Sequence, residues 1–152
     1  MKPTKIIVHC AATPNGKKFT IAQIDDWHRE RGFRRTKPGR AREWLTSVGY
    51  HFVIRLSGEV ERGRDEDEVG AHTAGENTDS LGICLIGTDR FTPAQWAALG
   101  ALVDDLKARH GISDVRGHRD YNSAKECPCF DVATWEASRS IPAENLLADE
   151  SL

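Results

Sequence analysis

His9 in IVHC, His118 in RGHRD and Cys127 in KECPC are the residues whose types could do chemistry together, because two imidazoles and a thiolate are a zinc donor set. A structural zinc site closes with four protein ligands. Three leave a fourth position for water, which the ion makes acidic enough to supply hydroxide near neutral pH. Spacing alone does not join the three: His118 stands far along the chain from His9, and Cys127 follows nine residues after His118. Each also has an ordinary reading, as a structural or surface histidine or as a buried thiol. Cys10 and Cys84 fall in expected strands and read as small hydrophobes. Cys129 reads as a neighbour of the site, since Pro128 restricts the backbone between the two thiols.

These residues must be positioned by regular elements, and the apolar pattern supplies them. Lys5 to Cys10 is a short β-branched run that reads as a buried strand, with His9 at its C-terminal end. Thr20 and Gln23 form a capping box, followed by a helix that ends near Gly32 and has Ile21, Ile24, Trp27 and His28 on one face. Residues 50–56 and 59–62 read as a hairpin about Ser57-Gly58, and Leu81 to Ile86 as a strand covered on both faces. Thr92-Pro93-Ala94-Gln95 starts a helix that runs to about His110 before Gly111, with Trp96, Leu99, Leu102, Val103 and Leu106 as its buried stripe. Ile112 to Arg116 is a strand leading to His118, and Asp131 caps a last short helix carrying Trp135. The fold class is therefore α/β, a central mixed β-sheet flanked by helices, in one domain over 1–140. Residues 141–152 read as an acidic, frayed tail.

Composition bounds the function. The 152 residues are 39% hydrophobic and 29% charged, which suits one soluble domain with a sizeable core. A net charge of −2 removes the bulk electrostatic case for a nucleic-acid partner. No apolar run is long enough for a membrane span or a signal peptide, so the expectation is a cytoplasmic protein without stable membrane association, and a monomer by default. Four cysteines in a reducing compartment read as thiols or metal ligands before disulfides. Between Arg29 and Arg42, seven Lys or Arg residues face Glu30 alone. That run reads as a solvated loop ahead of a patch attracted to an anionic wall, and the acidic stretch 59–68 would offset it if the two lie close.

Several segments in fixed order carry more: IIVHCAAT at 6–13, VGYHFVI at 48–54, GEVERGRDEDEVGAHTAGEN at 58–77, SLGICLIG at 80–87, FTPAQ at 91–95, GHRD at 117–120 and KECPCFDV at 125–132. Together they resemble the zinc-dependent N-acetylmuramoyl-L-alanine amidases of the peptidoglycan-recognition-protein superfamily, and within it the short phage lysozymes of the T-seven coliphage type. The resemblance implies one zinc ion per chain held by His9, His118 and Cys127, in the branch that uses Cys where others use Asp. It implies catalytic Tyr50 and Lys125 beside the metal-bound water and the scissile carbonyl, and His72, Thr73 and Asn77 along the substrate groove. Relatives that use a glutamate as general base differ at Tyr50, which leaves the group that takes the water proton open. His28, His51 and His110 keep structural readings.

The implied activity is hydrolysis of the amide between N-acetylmuramic acid and L-alanine in peptidoglycan. The implied setting is a phage or prophage endolysin that waits in the host cytoplasm until the membrane is breached. Two other readings use the same residues: a recognition module that holds muropeptide without cutting it, and a cysteine peptidase with Cys127 as nucleophile and His118 as base. Chelator sensitivity separates the second from the zinc reading.

Overall fold

β1 (Lys5–Cys10) lies inside the sheet because Ile6, Ile7 and Val8 have no exposed surface, and only a strand flanked by neighbours and covered on both faces can bury such a run. In this computed structural model, which describes residues 1–148, β1 pairs in parallel with β4 (Ser80–Leu85) on one side and with β5 (Asp114–Gly117) on the other. β2 (Phe52–Ile54) continues the parallel set beside β4, and β3 (Val60–Arg62) closes it as an antiparallel edge, giving the order β3-β2-β4-β1-β5. The sheet is mixed, as the sequence implies.

Side-chain alternation divides the core between two faces. Ile6, Val8, Phe52, Ile54, Leu81, Ile83 and Leu85 meet α2 (Pro93–His110) and α3 (Val132–Ser138) through Trp96, Leu99, Val103, Leu106 and Trp135. Val53, Cys84 and Ile86 meet α1 (Ile21–Glu30) with Leu45 and Val48 on the opposite face. The register His9↔Cys84↔Val53 puts His9 on the α1 face. Because β1 and β5 run in parallel, His9 near the end of one and His118 just past the end of the other reach the same carboxyl edge of the sheet.

Helix boundaries follow their caps. α1 and α2 both start with capping boxes, and Gly111 ends α2 in the left-handed region at φ 66°. Asp131 accepts from the Thr134 amide at 3.3 Å to start α3. Gln95 also serves the tertiary fold, donating from Nε2 to the Ile54 and Ile86 carbonyls at 3.2 and 2.9 Å.

Four expectations are corrected. Trp27 is not on the buried face of α1: that stripe is Ile21, Ile24, Asp25 and His28, and Trp27 is exposed. Burial of Asp25 is offset by the Ser47 and Val48 amides, which donate to its carboxylate at 2.7 and 2.6 Å. The first hairpin strand begins at Phe52, so Tyr50 precedes the strand.

The tail is not frayed through residue 147. The Asn145 carbonyl accepts from the Phe91 amide at 2.9 Å, its Nδ2 donates to the Asp89 and Cys129 carbonyls at 2.8 and 3.0 Å, and the Leu147 amide returns to the Phe91 carbonyl at 2.9 Å. The acidic average of the segment hides this one buried amide and its apolar neighbours.

Finally, the basic run is largely paired. Lys37 meets Asp65 and Asp67 at 3.0 and 3.2 Å, Arg42 meets Asp65 at 2.9 Å, and the fully buried Arg35 meets Glu68 at 2.9 Å. The acidic stretch does lie close enough to offset it.

Candidate active site

A groove of about 470 Å³ runs over the carboxyl edge, with His9, His118 and Cys127 in its floor. The ligand atoms of these three lie within 4.8 Å of one another, and the two imidazole centroids are 4.6 Å apart. The sequence positions are distant; the parallel pairing of β1 with β5 is what brings the histidines together. The loop after His118 returns Cys127 to β1, where the Cys10 amide donates to its Sγ at 3.1 Å. Gly117 makes room for that return, since a Cβ there would meet Pro128 Cδ at 2.9 Å.

A directional hydrogen-bond chain sets the state of His9. Ser80 Oγ donates to the Glu76 carbonyl at 2.7 Å and so accepts from His72 Nε2 at 3.2 Å. His72 Nδ1 is then the acceptor facing His9 Nε2 at 2.9 Å, with Thr73 Oγ1 at 3.0 Å from the same Nδ1. His9 therefore carries its proton on Nε2 and turns a lone pair on Nδ1 toward the site. Burial first, then neighbouring imidazoles, pushes both His9 and His72 toward the neutral form. Burial and the Lys125 ammonium do the same for His118. Two neutral imidazoles and a cysteine sulfur suit a zinc ion in donor type.

The other anticipated residues also reach the groove. Tyr50 packs its ring 5.1 Å from that of His9, and burial, then the surrounding thiols, raises its phenol well above the ordinary value. Lys125 stands exposed on the rim. His72, Thr73 and Asn77 line the wall, and Asn77 Oδ1 accepts from both the His72 and Thr73 amides at 3.0 and 2.9 Å, which fixes the loop. The His72 ring lies where a Cβ on Gly82 would approach it to 2.7 Å, so the glycine in LGICLI is a requirement of this packing.

His51 points away from Tyr50, accepting from the Gly82 amide at 3.0 Å and meeting the Glu68 carbonyl at 2.7 Å. His110 sits at the end of α2, 2.6 Å from Glu66. Cys10 and Cys84 are buried; a hydrogen bond with Cys127, and then burial, raises the Cys10 thiol, and burial raises the Cys84 thiol.

His28, Arg31 and Phe33 also line the groove, which the sequence reading does not anticipate. His28 Nδ1 accepts from the Gly49 amide at 2.8 Å, which secures the backbone just before Tyr50. The sequence signal for them is the stop of α1 at Gly32, which turns the chain toward the site.

The chain belongs to the N-acetylmuramoyl-L-alanine amidase family, whose model matches residues 1–130. Within it, the chain is similar to phage endolysins. It is 40% identical to the endolysin of Enterobacteria phage T3 over 138 residues, covering 86% of this chain and 83% of that one. The figure is 39% over 140 residues for the endolysin of Klebsiella phage KP32, covering 87% and 84%. Among solved structures, the N-acetylmuramoyl-L-alanine amidase LysC from Clostridium intestinale superposes with a TM-score of 0.75 at 31% identity, over 91% of this chain and 84% of that one. The Drosophila peptidoglycan recognition protein PGRP-LB shares the fold, with a TM-score of 0.69 at 24% identity over 99% and 88%.

Proposed function

We propose that the protein is a zinc-dependent amidase that hydrolyses the bond between the lactyl group of N-acetylmuramic acid and L-alanine in peptidoglycan, as a phage or prophage endolysin. The convergence of His9, His118 and Cys127 in one groove, in a chain of this family, carries the reading. Endolysin relatives over most of the chain support the lytic setting, in which the protein is held in the host cytoplasm until the membrane is breached. One zinc ion per chain, held by those three side chains, supplies Lewis acidity and a water acidified enough to attack an amide.

The remaining chemistry belongs to the groove walls. Tyr50 stays a protonated phenol, so it donates a hydrogen bond to the carbonyl oxygen as charge develops there. Lys125 brings a positive charge to the same rim. Among the described residues no Asp or Glu lines the groove, which leaves Tyr50 and Lys125 as the groups placed to relay the proton of the attacking water. His72, Thr73 and Asn77 are read both as groove wall for the muropeptide and as the support of His9.

Two predictions test these roles. Lys125→Ala and Tyr50→Phe are each expected to lower kcat by about 10²- to 10³-fold while zinc content stays at one per chain. Zinc loss in either variant would show that a ligand has been misassigned. His72→Ala is expected to weaken zinc retention by about 10- to 100-fold, read by competition with a chromogenic chelator, because His9 loses the acceptor that orients it. Unchanged affinity would remove His72 from that role.

The activity itself is read by mass spectrometry of the soluble products from purified peptidoglycan. Peptides with a free L-alanine amino terminus and glycans with unmodified lactyl carboxylates are the expected products. Wall that is bound and left uncut would instead establish a recognition module.

A further inference from the structure

We propose that Arg31 is a specificity residue of the groove that binds a carboxylate of the stem peptide. The inference rests on the amidase reading above and adds to it the part of the substrate that is read away from the scissile bond.

The position of Arg31 is set by the way α1 stops. Gly32 adopts φ +82°, its amide donates to the Arg29 carbonyl at 3.0 Å, and the Phe33 amide donates to the His28 carbonyl at 3.0 Å. This pair of bonds is a Schellman motif, and the contact that accompanies it is between Phe33 and His28, whose rings stand 5.0 Å apart edge to face. The motif therefore delivers Arg31 and Phe33 together to the groove, where both are lining residues. The Arg31 guanidinium stacks on the Phe33 ring at 4.6 Å, which holds its plane while leaving its N–H edge for a planar anion.

Ion pairing occupies four neighbours of Arg31, and Arg34 and Arg40, which have no carboxylate partner among the described residues either, do not line the groove. Arg29 is held by Asp25 and Asp26, Arg35 by Glu68, and Lys37 and Arg42 by Asp65. Among the described residues no carboxylate pairs with Arg31, and none lines the groove that it shares with Lys125. The groove thus carries two cationic side chains and no carboxylate among the described residues, with one guanidinium already ordered and without a counter-charge.

The substrate's chemistry says what anion meets it. In the uncut muropeptide the lactyl carboxyl is consumed in the scissile amide and the two sugars are neutral, so the carboxylates belong to the peptide. From Arg31 to the ligand cluster the path runs Phe33, His28, Tyr50, His9, in four steps of 4.6, 5.0, 5.3 and 5.1 Å. An extended peptide of up to about six residues spans that path at ~3.4 Å per residue. A stem carboxylate beyond L-alanine falls within reach of the guanidinium.

The test compares a synthetic N-acetylmuramoyl tetrapeptide bearing free carboxylates with the same compound fully amidated. The protein is expected to show about a tenfold lower KM for the free-carboxylate form, and R31Q to bring the ratio of the two KM values close to one. R31K, which keeps charge without the planar fork or the stack, is expected to fall between them. An unchanged ratio in R31Q, or an equal rise of both KM values, overturns the proposal and leaves the amidase reading standing. If the protein cuts neither compound, the amidase reading fails instead. Calorimetric binding of the same two peptides then decides this one: a preference lost in R31Q supports it, and no preference in the parent protein overturns it.

Discussion

Replacing His9, His118 or Cys127 by alanine is expected to abolish zinc retention and to lower amidase turnover by at least about a thousandfold. The effect is large because the site has three protein ligands and no spare one: among the described residues these are the side chains whose donor atoms converge, and Cys129 does not join them. Measuring metal by elemental mass spectrometry beside turnover distinguishes the zinc reading from a cysteine peptidase. Cys127→Ala disables both enzymes, but chelation disables only the first, and zinc restores it. A His9→Ala protein that keeps full activity with no bound metal would refute the site.

The second large effect lies away from the groove. Arg35→Ala is expected to destabilise the fold by about 3–5 kcal/mol, seen as a lower urea midpoint, because it leaves buried Glu68 with only the Arg64 guanidinium, 4.0 Å away, as a counter-charge. The Arg35 side chain has no exposed surface; Nη2 donates to Glu68 at 2.9 Å, Nη1 to the Arg42 and Leu45 carbonyls at 2.9 Å each, and Nη2 also to the Ala41 carbonyl at 3.0 Å. Glu68 in turn accepts from the Asp65 amide at 3.0 Å, so one ion pair ties the loop after α1 to the segment after β3. Replacing both residues by apolar side chains should recover part of the loss but leave those carbonyls without donors. A midpoint shift worth less than about 0.5 kcal/mol, the usual scatter of neutral surface changes, would refute this role.

Most of the architecture is legible from local pattern. The β-branched run of β1, the apolar LGICLI and the two capping boxes announce elements whose bounds the structure moves by one or two residues. Trp27 is an exception because a buried aspartate, which accepts two backbone amides, occupies the helix position that an apolar residue usually takes. The charged loop differs for a related reason: sequence shows how many charges there are and not which ones pair, so a buried arginine resembles part of a solvated run. The candidate ligands are proposed through the family resemblance, since nothing in their spacing joins His9 to Cys127, and the structure shows that their donor atoms converge. The contribution of Ser80 and Gly82 to holding His72 is not legible, because it depends on ring placement between a loop and a neighbouring strand.

The two rims of the sheet bear on how one copy can meet another. β3 offers three residues, Val60, Glu61 and Arg62, and β5 offers four that include exposed Arg116 beside Asp114. Short margins that carry charged side chains give the strand of another copy few groups to zip onto. The margins therefore disfavour growth of the sheet from one copy into the next.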